Sequence, residues 1–138
     1  PEPMAGAARI VSTLEQYERI FALNPSPNNT MLFCQGCVTE MGIDVCEAIR
    51  RMGGQDKICY VHFRNVRGTP KDFREVFIDE GDVNMIEALK AYKDVGYDGV
   101  ITPDHTPRVI GDEPYGHRGR AFALGYIRAA MQALDFFA

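Results

Sequence analysis

Apolar positions along the chain follow two rhythms, a spacing of three and four residues and short unbroken runs, and the two alternate. The clearest run is Ile58-Cys59-Tyr60-Val61-His62-Phe63-Arg64-Asn65-Val66. Rich in β-branched and aromatic residues, it reads as a buried parallel strand that turns polar at its C-terminal end. Thr30 to Cys34 and Gly99 to Asp104 read as two further strands, each ending on a side chain able to bind a metal. The helical rhythm appears first in Leu14, Tyr17, Ile20 and Phe21, behind a capping box of Ser12 and Glu15, and stops at Asn24-Pro25-Ser26-Pro27. It returns in Val45, Cys46, Ile49 and Met52, closed by Gly53-Gly54, and in Val83, Ile86 and Leu89 behind Asp82 with Gly96 at the end. A last helix from about residue 119 to 134 carries Leu124, Ile127, Met131 and Leu134 on one stripe.

This order, a helix and then strand-helix three times, predicts a parallel sheet. Connections from helix to strand are short, whereas those from strand to helix are long: Arg67 to Gly81, broken by Val76-Phe77-Ile78, and Thr106 to His117. Long loops at the C-terminal ends of strands are the layout of a (β/α)8 barrel, where chemistry sits on that face. A doubly wound open sheet gives the same local pattern, but no G-x-G-x-x-G or P-loop follows any strand. The expected fold class is therefore α/β of the (β/α)8 TIM-barrel type. Three strands and four helices fall short of the eight strands and roughly 250 residues of a closed barrel. Residues 1–138 are accordingly expected to form a single segment of one, associated with the rest of the barrel or with a second copy as a homo-oligomer (dimer).

Composition narrows the partners. The chain has 138 residues, is 46% hydrophobic and carries a net charge of −4 with both signs interspersed, so no basic block marks a nucleic-acid or membrane surface. A small-molecule partner is expected. No apolar run approaches the roughly 18 residues needed to span a bilayer, and no charged-then-apolar leader opens the sequence, which points to a cytoplasmic protein. Cys34, Cys37, Cys46 and Cys59 lie on predicted strands and helices, unlike a disulfide framework. Cys34 and Cys37 make a C-x2-C pair, yet no second pair completes a four-ligand zinc knuckle.

The candidate chemistry gathers at the strand ends. Cys34, His62 and Asp104 would share one rim of the sheet, and thiolate, imidazole and carboxylate are all metal ligands. Taken singly, each has a plainer reading: a small buried hydrophobe, a hydrogen-bonded core histidine and a turn cap. Arg64, Asn65 and Arg67 are candidates to grip an anionic substrate, or else a solvated loop. Tyr115 and His117 are a candidate proton donor and polar contact in the second long loop, and His105 is a candidate acid or base expected on the opposite side of its strand. Asp79 and Glu80 are a further pair of carboxylates, or else a turn and a helix cap.

At these residues the chain resembles the mannonate dehydratase family of hexuronate degradation, related to xylose-isomerase-like barrels and distinct from enolase-type enzymes of the same activity. The matching pieces are Cys34-Gln35-Gly36, Val61-His62-Phe63-Arg64-Asn65-Val66, Phe77-Ile78-Asp79-Glu80-Gly81-Asp82 and Pro103-Asp104-His105, spread over almost the whole chain. The resemblance implies a hydro-lyase that converts D-mannonate, a sugar acid, to 2-keto-3-deoxy-D-gluconate in glucuronate catabolism. It implies a divalent metal, manganese first and iron or zinc as alternatives, held by Cys34, His62 and Asp104 with a further histidine from an earlier strand. It matches Tyr115 to a tyrosine the family uses in this loop and makes this chain the C-terminal part of the barrel; catalysis is expected of Asp104, His105 and Tyr115, the last two as acid and base in either order. Thr102 before Pro103, and Thr106-Pro107 after His105, depart from the common pattern. The alternatives are a metal-dependent sugar isomerase or epimerase of the same barrel class, or a non-catalytic segment.

Overall fold

A computed structural model describes residues 6–8, 10–69 and 71–135; Pro1 to Pro3 and Pro70 of the first long loop lie outside them. The elements run α1 (Leu14–Leu23), β1 (Met31–Cys34), α2 (Gln35–Glu40), α3 (Val45–Gly53), β2 (Ile58–His62), β3 (Val66–Thr69), β4 (Asp72–Glu75), α4 (Met85–Asp94), β5 (Val100–Thr102) and α5 (His117–Ala133). The three expected strands form one parallel sheet in the order β1-β2-β5. Each is shorter than its apolar run. No helix among the described residues is long and apolar enough to cross a membrane.

The sheet has one covered and one open face. Met31, Phe33, Val61 and Phe63 are buried against the helices, and Phe33 and Phe63 meet the ring of Tyr92 from α4 at 6.1 and 6.3 Å between centroids. Fully burying side chains of this size contributes roughly 1.5–3 kcal/mol each. Ile49 and Met52 of α3 and Leu89 of α4 complete this layer. The side chains between them in the strands point the other way, as the period of two requires. Leu32, Tyr60 and Val100 stand in register across the open face, and the next row is Cys34, His62 and Thr102.

Two helices begin later than their sequence signals suggest. Thr13, not Ser12, caps α1 by accepting from the Gln16 backbone N–H, while the Gln16 side chain accepts from the Ser12 N–H. The box exists but is shifted by one residue and uses Gln16 in place of Glu15. Asn84 caps α4 by accepting from the N–H groups of Ile86 and Glu87, because Asp82 is engaged elsewhere.

The larger difference is in the first long loop, where β3 and β4 form an antiparallel hairpin. Among its residues Val66 is buried while Arg67, Gly68, Thr69 and Phe73 are exposed, so it has no apolar face of its own. A lone two-stranded hairpin is marginal in water. This one is fastened by Asn65, whose amide donates to the Ile78 and Val83 carbonyls and accepts from the Val66 and Val83 N–H groups. Asp82 adds a bond from the Gly68 N–H to its carboxylate and one from its own N–H to the Val66 carbonyl. Gly81 permits this closure, since a Cβ there would lie 2.0 Å from Asn65 Oδ1. Gly81→Ala is therefore expected to lower the unfolding free energy by about 1–3 kcal/mol, as overpacking does, read by urea denaturation. A change below about 0.5 kcal/mol would show that Asn65 is not the fastening.

Candidate metal centre at the sheet rim

In-register pairing of Cys34 with His62 places their side chains on neighbouring strands at the C-terminal edge. Asp104 arrives from the third strand two residues beyond Thr102, where the backbone turns with φ +55°. That left-handed conformation is uncommon outside glycine, though aspartate and asparagine tolerate it best. The turn folds the carboxylate back over the rim. A ligating atom from each of Cys34, His62 and Asp104 then lies within 4.8 Å of the other two. It is the one such cluster found among the described residues.

Asp104 Oδ2 is the hub. It lies 3.1 Å from His62 Nδ1, 3.4 Å from His105 Nε2 and 3.6 Å from Arg64 Nε. His105 thus sits on the same rim and not across the strand, because the left-handed turn at Asp104 breaks the alternation that would have sent it away. Its imidazole Nδ1 is also 3.8 Å from Glu75 of β4.

Arg64 occupies the floor of the site. Nε donates to Cys34 Sγ at 3.3 Å, Nη1 to Glu75 at 2.7 Å, and Nη2 to Glu40 at 2.8 Å and Cys37 Sγ at 3.5 Å. Its side chain is 6% exposed. The donors of Arg64, expected to grip a substrate, are taken up here by protein acceptors. Asn65 is likewise turned inward, at 2% exposure, as the hairpin fastening. Arg67 is exposed but bonds to the Glu80 carbonyl and faces Asp82 at 4.0 Å, on the hairpin side. Gly36 admits Arg64, since a Cβ there would fall 2.2 Å from Cζ of the guanidinium.

The cysteine pair is polarised. A hydrogen bond from the Cys37 thiol, then the Cys37 backbone N–H and the Arg64 guanidinium, hold the Cys34 thiol well below its usual range against the opposing effect of burial. Cys37 is pushed up by the same bond and by burial. Burial raises the Glu75 carboxyl, with Arg64 working against it.

The donor set fits a divalent cation. Thiolate, imidazole and carboxylate converge from three strands, and the anionic groups Cys34, Asp104, Glu40 and Glu75 outnumber the single guanidinium among them. An ion there would be held by Cys34, His62 and Asp104 with positions left open.

Two clefts meet at Asp104 and His105. One, of about 380 Å³, is lined by Cys34, Cys37, His62, Arg64 and Tyr17. The other, of about 360 Å³, runs along the second long loop past Arg108, Tyr115 and Arg120. Tyr115 is 64% exposed and is steadied by Arg120, whose guanidinium lies 4.3 Å over its ring and whose Nε donates to its carbonyl. His117 stacks beside the same ring at 5.2 Å. Sequence reasoning missed Glu40, Glu75 and Arg120. The first two stand in polar stretches whose return to the rim depends on α2 and the hairpin, and only the five-residue offset of Arg120 from Tyr115 hinted at the third.

Side chains able to bind a metal, delivered from the C-terminal ends of adjacent parallel strands, have the layout of the (β/α)8 barrel class. The D-mannonate dehydratase (UxuA) family model matches residues 1–138, and the chain belongs to that family. It is 35% identical over 142 residues to mannonate dehydratase 2 of Halalkalibacterium halodurans, covering 98% of this chain and 41% of the relative. Against the mannonate dehydratase of Enterococcus faecalis it is 38% identical over 141 residues, covering 96% and 39%. The crystal structure of mannonate dehydratase from Streptococcus suis serotype 2 superposes with a TM-score of 0.87 at 28% identity, over 98% of this chain and 42% of that one. A xylose isomerase domain protein from Planctomyces limnophilus shares the fold alone, with a TM-score of 0.69 at 20% identity over 93% and 48%. The chain thus spans about 40% of the length of its curated relatives.

Proposed function

We propose that residues 1–138 are one segment of a metal-dependent hydro-lyase barrel, its later portion, acting on D-mannonate to give 2-keto-3-deoxy-D-gluconate. The observation that carries this reading is the convergence of Cys34, His62 and Asp104 within 4.8 Å in a chain of the mannonate dehydratase family. Manganese is the proposed ion; the sulfur of Cys34 also suits the softer iron and zinc. When bound, the cation supplies Lewis-acid stabilisation of negative charge developing on the substrate carboxylate.

The chain's own groups supply proton transfer. His105, flanked by the carboxylates of Asp104 and Glu75, is suited to take the proton from C2. Tyr115, across the shared cleft, is suited to deliver a proton to the departing C3 hydroxyl, which leaves as water. Each transfer is worth typically about 10²–10⁴ in rate. With Arg64 committed to the floor, Arg108 and Arg120 are the cations lining the cleft for an anionic substrate.

The test is an assay of the manganese-loaded full-length protein with D-mannonate, following appearance of a 2-keto acid. Turnover is expected, and Tyr115→Phe is expected to lower kcat by about 10²–10⁴ while KM changes little. A folded, metal-loaded protein that leaves D-mannonate unchanged would overturn the substrate, and an undiminished Tyr115→Phe variant would overturn the role of the phenol.

A further inference from the structure

The C-x2-C pair is only half accounted for by the proposed metal binding, which uses Cys34 alone. Both sulfurs accept from one guanidinium, Cys34 from Nε at 3.3 Å and Cys37 from Nη2 at 3.5 Å, which brings them side by side. Cys34 caps α2 and Cys37 stands one turn further on. Side chains three apart on a helix have Cβ atoms about 5–6 Å apart, and a disulfide asks for roughly 3.5–4.5 Å. A small shift within this one turn closes that gap. Cys46 is partly exposed like these two and Cys59 is more exposed, but only Cys34 and Cys37 line one cleft together; Cys46 lies on α3, and Cys59 bonds to the Met31 carbonyl in the sheet. A small oxidant reaching this cleft meets two adjacent sulfurs.

We propose that Cys34 and Cys37 form a reversible intramolecular disulfide that disables the metal centre when the metal is absent, a site for thiol–disulfide exchange with a low-molecular-weight disulfide. The inference rests on the proposed role of Cys34 as a ligand. One cysteine thiolate attacks a sulfur of the small disulfide, forming a mixed disulfide and releasing one small thiolate. The second cysteine, as its thiolate, then attacks the protein sulfur, forming the Cys34–Cys37 bond and releasing the other. The two protein thiols are oxidised, the small disulfide is reduced to two thiols, and the protons end on the released thiolates. A thiolate ligand is lost in the process, since coordination requires the deprotonated free sulfur. A bound cation, in turn, occupies Cys34 and protects it.

The experiment treats the metal-free full-length protein with oxidised glutathione, alkylates what remains free and maps the peptides. The expected product has lost the mass of two hydrogens, with Cys34 linked to Cys37, and Cys46 and Cys59 alkylated. Manganese affinity is expected to fall by at least about tenfold and to return with dithiothreitol, and preloading with manganese is expected to slow the oxidation by a similar factor. Cys37→Ser is expected to stop at the mixed disulfide on Cys34. Recovery of both cysteines alkylated, or separately glutathionylated, would overturn the proposal. A Cys34–Cys37 bond that leaves manganese affinity unchanged would uphold the exchange site and overturn the ligand role of Cys34.

Discussion

His62→Ala is expected to lower manganese affinity by at least about 100-fold and to abolish dehydration, while the protein stays folded. His62 sits on the middle strand of the three, between Cys34 and Thr102 in register, so no neighbouring side chain can take over its imidazole without moving a strand. Asp104 Oδ2, now 3.1 Å from its Nδ1, would be left with Arg64 and His105 and would turn toward them. The structural cost is small. His62 lies on the open face, with a 5.7 Å edge contact to Tyr60, and fills no space in the core layer. Loss of stability within about 1 kcal/mol is expected, in keeping with substitutions outside the core. Metal content after dialysis and a thermal melt together test this. A variant that retains a full equivalent of manganese would remove His62 from the centre.

Arg64→Met is expected to have the largest effect on folding, a loss of about 3–5 kcal/mol, because it removes one partner from a buried set of charges. Glu40 and Glu75 would face the vacated space with no cation between them, and Cys34 would lose its guanidinium donor. Methionine fills the volume, so the loss reports charge more than cavity. The pH dependence follows from Glu75. Burial already raises its carboxyl in the presence of Arg64, and without the guanidinium it rises further. A carboxyl raised in the folded state destabilises the fold at pH values where it must ionise, so the deficit is expected to shrink as pH falls from 7 toward 5. Urea denaturation across that range measures it. A deficit below about 1 kcal/mol at pH 7 would mean that the ion pairs on the rim carry little of the stability.

The strands and the cluster at their rim were legible in the sequence for one reason: each apolar run ends on a polar residue, and parallel strands with long exits bring such ends together. That logic delivered β1, β2 and β5, and it brought Cys34, His62 and Asp104 to one rim. It failed where order comes from polar contacts. Val66 to Glu75 shows no alternation, and its hairpin depends on Asn65 bonding to Ile78 and Val83, residues up to 18 positions away. The same limit hid the ion pairs of Arg64, which lies just past a strand and is enclosed by Glu40 and Glu75. Helix starts at Thr13 and Asn84 slipped by one and two residues because Ser12 and Asp82 are equally good caps in isolation.

The left-handed backbone at Asp104 narrows what this lineage can become. Three residue types enter that conformation at modest cost, glycine, asparagine and aspartate. Only one of them carries an anionic oxygen. Glutamate would bring a ligating atom but would strain the turn, and asparagine would keep the turn but surrender the charge. Aspartate alone among these three combines the backbone conformation with an anionic oxygen at this position.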